Sequence, residues 1–184
     1  MYKINEIFYS LQGEGANSGT PAVFIRFSGC NLRCTFCDTD FTSYQEMSVG
    51  EIIDEIGQYP TNFVVLTGGE PSLQADESLI DALHARDYVI AIETNGTQDL
   101  PEGIDWVTLS PKEGSRIVLT EADEVKVVYT GQEVEQYLNI PAEAYYLQPC
   151  WQDGHDNREE VINYCLSHPD WSLSMQLHKL LNIR

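Results

Sequence analysis

Val23-Phe24-Ile25-Arg26-Phe27-Ser28-Gly29-Cys30-Asn31-Leu32-Arg33-Cys34-Thr35-Phe36-Cys37 runs from an apolar strand directly into three cysteines spaced C-x3-C-x2-C. Three thiolates so close together can converge on one metal centre, yet they cannot fill a four-coordinate site alone. A cubane iron–sulfur cluster held this way keeps one iron free for another ligand. An open position of that kind separates a reactive metal site from a structural one. Zinc would need a fourth ligand, and His84, His155, His168 and His178 are all distant in the chain, although folding can bring one near. Five cysteines without a secretory signal argue against a disulfide framework.

Working outward, the same sequence of apolar strand and polar loop recurs. Strand-like runs cover Tyr2–Tyr9, Ala22–Ser28, Phe63–Thr67, Tyr88–Glu93, Trp106–Ser110, Glu124–Tyr129, Ala144–Gln148 and Trp171–Gln176. Helical patterns fall between several of them. Ser48-x-x-Glu51 is a capping box that opens a helix to about Tyr59. Further helices are expected over Ala75–Ala85, Gln132–Leu138 and Asp156–Ser167. Apolar strands alternating with helices imply parallel βα units. Thr67-Gly68-Gly69-Glu70, Glu93-Thr94-Asn95-Gly96, Ser110-Pro111-Lys112 and Gln148-Pro149 all follow strands. Barrel enzymes carry their chemistry at those C-terminal strand ends. A complete eight-fold barrel needs about 200 residues or more, and this chain has 184. The expected fold is therefore α/β: an incomplete TIM-like βα barrel with mostly parallel strands, forming one domain over residues 1–184.

The chain carries 29 acidic against 10 basic residues, a net charge of -19. No Lys/Arg stripe exists to neutralise phosphates, which argues against a nucleic-acid partner. No stretch is long and apolar enough to span a membrane and no targeting peptide is read, so a cytoplasmic location is expected. The scarce cations Arg26, Arg33, Lys112 and Lys126 fall in or beside strands. Arg26 alternates with Val23, Ile25 and Phe27, so it faces the lumen if those three pack against helices. A cation there needs an anion, either a ligand or one of the many acids of the chain.

The triplet with its aromatic, Phe36-Cys37, together with Gly68-Gly69-Glu70-Pro71, resembles the radical S-adenosylmethionine superfamily. The match narrows with further segments: Phe8-Tyr9-Ser10-Leu11-Gln12-Gly13-Glu14-Gly15, Arg26-Phe27-Ser28-Gly29, Cys37-Asp38-Thr39-Asp40, Glu93-Thr94-Asn95-Gly96, Ser110-Pro111-Lys112 and Ser174-Met175-Gln176-Leu177-His178-Lys179. Together they resemble the 7-carboxy-7-deazaguanine synthase family over nearly the whole chain.

That resemblance implies a ring contraction of 6-carboxy-5,6,7,8-tetrahydropterin to 7-carboxy-7-deazaguanine with loss of ammonia, a lyase step of queuosine and deazapurine biosynthesis. It implies that Cys30, Cys34 and Cys37 hold a [4Fe-4S] cluster and that Thr39 binds Mg2+. Gly69, Ser110, Pro111, Lys112 and Gln148 match positions that contact S-adenosyl-L-methionine. Leu11, Gln12, Gly13, Arg26 and Thr67 match substrate-binding positions, with Arg26 suited to the pterin carboxylate and Gln12 to a pterin edge. No protein side chain is assigned as catalytic, because the hard chemistry belongs to the cofactors. The resemblance further implies a homodimer and a flavodoxin- or ferredoxin-like electron donor, for which Arg33 is the candidate contact. His178 stands near the pterin by resemblance, or is a structural histidine. Cys150-Trp151-Gln152 departs from the family pattern, while Cys150 and Cys165 read as small buried hydrophobes.

Three other readings remain at this point. A glycyl-radical activase also uses C-x3-C-x2-C. A zinc-binding interaction module would place the cysteines in a closed site. A cluster-bearing electron carrier would not need Gly68-Gly69-Glu70-Pro71.

Overall fold

The computed structural model describes residues 1–37, 39, 40, 42–152 and 154–184. Its strands are β1 (Tyr2–Leu11), β2 (Pro21–Phe27), β3 (Gln45–Met47), β4 (Phe63–Gly68), β5 (Val89–Thr94), β6 (Trp106–Leu109), β7 (Glu124–Tyr129), β8 (Ala144–Pro149), β9 (Trp151–Gln152), β10 (His155–Asp156) and β11 (Ser172–Leu173). Nine of them form one sheet in the order β11-β8-β7-β6-β5-β4-β2-β1-β3. Every pairing from β2 to β11 is parallel, and β1 runs antiparallel to both β2 and β3. Among the described residues β11 and β3 do not pair, so the curved sheet stays open. The incomplete βα barrel with mostly parallel strands expected from the sequence is thus present.

The alternation of β2 decides which face looks inward. Val23, Ile25 and Phe27 pack outward with Val64, Leu66, Ile90 and Ile92 against two helices, α1 (Val49–Ile56) and α2 (Glu77–His84). Those helices contribute Ile52, Ile53, Ile56, Leu79, Ile80 and Leu83. Burying each such side chain stabilises the fold by about 1.5–3 kcal/mol. On the inner face Phe8, Ala22, Phe24, Val65 and Ala91 form a small apolar plug. Two residues farther along the same strands this face becomes polar, with Arg26, Thr67 and Glu93. A second outer core joins Val125, Val127 and Leu147 to Val161 of α3 (Arg158–Ser167) and to Trp171.

Local chemistry explains most element ends. Ser48 Oγ accepts the Glu51 N–H, and the Glu51 carboxylate accepts the Ser48 N–H at 2.7 Å, closing the capping box. The helix stops at Ile56, short of Tyr59, where Gly57 turns the chain. The expected helix over Gln132–Leu138 is a single 3-10 turn, Glu135–Asn139. The last expected strand shrinks to β11: Ser174 N–H still donates to Leu147 O at 2.9 Å, but past it the backbone turns away and Leu177 N–H donates to Gly13 O at 3.0 Å. Residues beyond it form α4 (Leu177–Leu181), which the strand reading missed. The departing segment after Pro149 folds as the small hairpin β9–β10.

Candidate active site

The cysteine loop is anchored where β2 ends. Gly69 N–H donates to Phe27 O at 3.0 Å, and Glu70 N–H donates to Gly29 O at 2.9 Å. This seam leaves no room for side chains. A Cβ on Gly68, whose φ is +131, would lie 2.2 Å from Phe27 O, and one on Gly69 would lie 1.9 Å from Gly29 O. Glycine is required here by the backbone approach itself.

Glu70 is fully buried and knots the neighbouring strand ends together. Its carboxylate accepts the Thr94 hydroxyl at 2.7 Å, the Asn95 N–H at 2.7 Å and the Ser72 N–H at 3.1 Å. Asn95 Nδ2 donates to Asn31 Oδ1 at 3.1 Å, carrying the network into the cysteine loop. The sequence reading did not single out Glu70; the signal was an acid beside two glycines at a strand end.

These elements open onto one cavity of about 1060 Å3. Cys30, Cys34 and Cys37 line it from the loop after β2, with Thr39 beside them. Gly69, Ser110, Lys112 and Gln148 line it from strand ends. Leu11, Gln12 and Gly13 reach it from the strap after β1, and Arg26 and Thr67 from the inner sheet face. Pro111 alone of the expected contacts is not in the lining; it is buried behind Ser110 and Lys112. Asp38 lies outside the described residues. Asp40 is engaged by Thr42, whose N–H and hydroxyl it accepts at 2.9 and 2.6 Å.

The donor set suits a cluster. Cys30 and Cys34 are half-buried, and burial pushes both thiols up. Among the described residues no three His, Cys, Asp or Glu side chains converge to hold a single metal ion. A cubane spreads its thiolates over separate irons, so three ligands need not meet at one point. Lys112 donates to Ser110 O and Ser110 Oγ at 2.6 Å each, and burial pushes its ammonium down. It is therefore not a loose surface lysine. Cys150 is half-buried and lines the cavity rather than packing wholly inside the core.

Arg26 faces the lumen and already has an acid: its Nε lies 2.9 Å from Glu6 Oε1. It borders the cavity as its strand alternation implies, and here its partner is one of the chain's own acids. Farther in, Lys126 lies 2.8 Å from both Glu14 and Glu93. Burial opposes its charge, but the Glu14, Glu93 and Glu124 carboxylates outweigh that and hold it well above the usual lysine value. Burial also opposes ionisation of Glu14, yet Lys126 wins and holds that carboxyl down to about 2. Burial raises Glu93 to about 7, with the Glu14 charge adding to it. Glu93 also accepts Gln12 Nε2 at 3.0 Å. Burial thus disfavours the charged form of Glu93 even with the Lys126 ammonium 2.8 Å away. A lone lysine within Glu-Val-Lys-Val-Val-Tyr was the signal for this triad.

Gly13 packs against His178; a Cβ there would lie 2.7 Å from Nδ1. His178 and Lys179 on α4 also border the cavity. Gly15 N–H donates to Ser174 Oγ at 3.0 Å, and that hydroxyl donates to Gln148 Oε1 at 2.9 Å. The strap is thereby tied to the far side of the sheet.

The chain is similar to known proteins over its whole length. The model of the radical SAM superfamily matches residues 24–165. A 7-carboxy-7-deazaguanine synthase of Bacteroides thetaiotaomicron is 56% identical over 184 residues, covering 100% of both chains. One from Burkholderia multivorans is 44% identical and covers 99% of each. The crystal structure of QueE from Escherichia coli superposes with a TM-score of 0.77 at 32% identity, covering 95% of this chain and 93% of that one.

Proposed function

The chain belongs to the radical S-adenosylmethionine superfamily and, within it, to the 7-carboxy-7-deazaguanine synthases, and from that membership we propose a division of labour among its residues. The reaction is the ring contraction of 6-carboxy-5,6,7,8-tetrahydropterin to 7-carboxy-7-deazaguanine with loss of ammonia. The observation that carries the residue assignment is the shared cavity. Three cysteines, the glycine seam and the polar lumen all face it.

Cys30, Cys34 and Cys37 would hold the [4Fe-4S] cluster, whose open iron leaves a place for S-adenosylmethionine. When bound, the pair supplies one-electron cleavage of the sulfonium and a primary carbon radical. The protein supplies orientation and shelter. Gly69 and Ser110 offer backbone and hydroxyl groups to S-adenosylmethionine, Pro111 stiffens that loop from behind, and Lys112 holds Ser110. Gln148 faces the adenosine end. Arg26 takes the pterin carboxylate with its planar fork. Gln12, held by Glu93, presents an amide to the pterin edge, while Leu11, Gly13 and Thr67 shape the pocket around it. Thr39 provides a hard oxygen for Mg2+, which commonly keeps waters and takes substrate oxygens.

The chain works in the cytoplasm as a homodimer, reduced by a flavodoxin- or ferredoxin-like donor. No described helix is long and apolar enough to cross a membrane. Arg33 is exposed beside the cysteines and offers a positive contact on an acidic protein. Arg33→Glu is expected to slow reduction by such a donor and to leave dithionite reduction intact; equal rates with the protein donor would remove this role.

The deciding experiment is anaerobic turnover with 6-carboxytetrahydropterin and S-adenosylmethionine, with and without Mg2+, read by mass spectrometry. Product should depend on the cluster and rise with Mg2+. Cys34→Ala should yield none; retained turnover in that variant would sink the assignment.

A further inference from the structure

Glu6 stands between two arginines. Its Oε1 accepts Arg26 Nε at 2.9 Å, and its Oε2 pairs with an Nη of Arg184. Both guanidiniums lie over the ring of Phe8, at 5.5 Å for Arg26 and 5.1 Å for Arg184. All four side chains border the cavity.

The placement of Arg184 is built by the fold. Asn182 ends α4 in a left-handed conformation, with φ 53, and Ile183 N–H donates back to His178 O at 3.0 Å. That cap turns the chain toward β1. There Ser10 Oγ donates to Arg184 O at 2.6 Å. An arginine held by its backbone, with its side chain across a carboxylate in the cavity wall, is positioned rather than loose.

Charge then becomes the question. Without Arg184, a carboxylate ligand on Arg26 would leave Glu6 with no cation of its own and set two anions against one cation. With Arg184 present the group is neutral. An unpaired carboxylate in this partly buried place would oppose ligand entry. We propose that Glu6 is the resting counter-ion of Arg26, and that Arg184 takes Glu6 over when the substrate carboxylate binds Arg26. Arg184 is thus a positioning residue for substrate affinity, acting through Glu6. This rests on the assignment of Arg26 to the pterin carboxylate.

The test is anaerobic steady-state kinetics of the reconstituted enzyme with 6-carboxytetrahydropterin. Arg184→Ala should raise KM about threefold, the scale of a partly exposed ion pair, and change kcat much less. Arg184→Lys should restore most of the loss, because it returns the charge. In a Glu6→Gln background, Arg184→Ala should leave KM unmoved. Glu6→Ala serves as a second background if the amide disturbs the strand. An unchanged KM in Arg184→Ala, or an equal rise with and without Glu6, overturns the exchange. Arg26→Ala separates the two levels. An unaltered KM there removes the Arg26 assignment itself, whereas a raised KM without Glu6-dependence of Arg184 removes only the exchange.

Discussion

Lys126 Nζ lies 2.8 Å from Glu93 Oε2, on a strand whose other neighbours are Val125, Val127 and Val128. This ammonium also holds Glu14 and so fixes the strap after β1 inside the barrel. Lys126→Met removes the ammonium that pairs with both acids. Breaking a buried ion pair by removing one partner costs about 3–5 kcal/mol. Urea unfolding should show a loss of that order, and Lys126→Met should also lose substrate binding. A midpoint equal to that of the parent would contradict this reading.

The same triad sets a pH dependence with two opposed parts. Glu93 is raised from 4.5 to about 7, so its contribution to stability is complete below 4.5 and is lost as pH rises through about 7. Glu14 is lowered from 4.5 to about 2, so its contribution is complete above 4.5 and is lost as pH falls through about 2. Between pH 5 and 8 the Glu93 part dominates. Glu93→Gln should therefore flatten the decline of the unfolding midpoint across that range. Parallel curves for parent and variant would show that Glu93 does not titrate there.

The glycine seam gives a contrast within one residue type. Gly69→Ala drives a Cβ into the Gly29 carbonyl, at 1.9 Å, where neither backbone can yield cheaply. Destabilisation of about 3 kcal/mol follows, at the upper end for overpacking. Iron bound after anaerobic reconstitution should fall with it, since Cys30 follows Gly29 directly. Gly50→Ala in α1 meets nothing closer than 4.0 Å. It should be neutral or stabilising by about 0.5–1 kcal/mol, because alanine loses less backbone entropy in a helix.

Ser174 joins Gly15 to Gln148 and is 3% exposed. Ser174→Ala leaves the part-buried Gly15 N–H and the buried Gln148 Oε1 unmatched, a cost of about 1–3 kcal/mol. KM for pterin and for S-adenosylmethionine should rise together, since the hydroxyl serves both sides of the cavity. A rise for one ligand alone would show that the two sides are independent.

The barrel was legible because its signals are periodic and local. β7 matches its expected bounds, and the capping box before α1 is made as written, since both depend on residues within a few positions. Cys30, Cys34 and Cys37 were visible as spacing, and Gly69 through the resemblance of its segment. The ion pairs were not. Glu6–Arg184 spans the chain, and Lys126 meets Glu14 and Glu93 only after the sheet curls. Charge composition lists such residues without pairing them. Short edge elements escaped for a related reason: β3 has three residues, too few to show a period, and exists through its pairing with Tyr2, Lys3 and Ile4. The last strand ends earlier than its apolar pattern suggests because the backbone past Ser174 turns to Gly13, a partner far away in the sequence.

The stitch between Gly68-Gly69-Glu70 and Phe27–Gly29 is main chain against main chain. It owes nothing to iron or sulfide. Metal-free protein therefore keeps the doorway to its cysteine loop assembled, Asn31 included, and the span beyond Asn31 is what has to settle around incoming inorganic material. Loading should resemble filling a ready socket more than folding a domain.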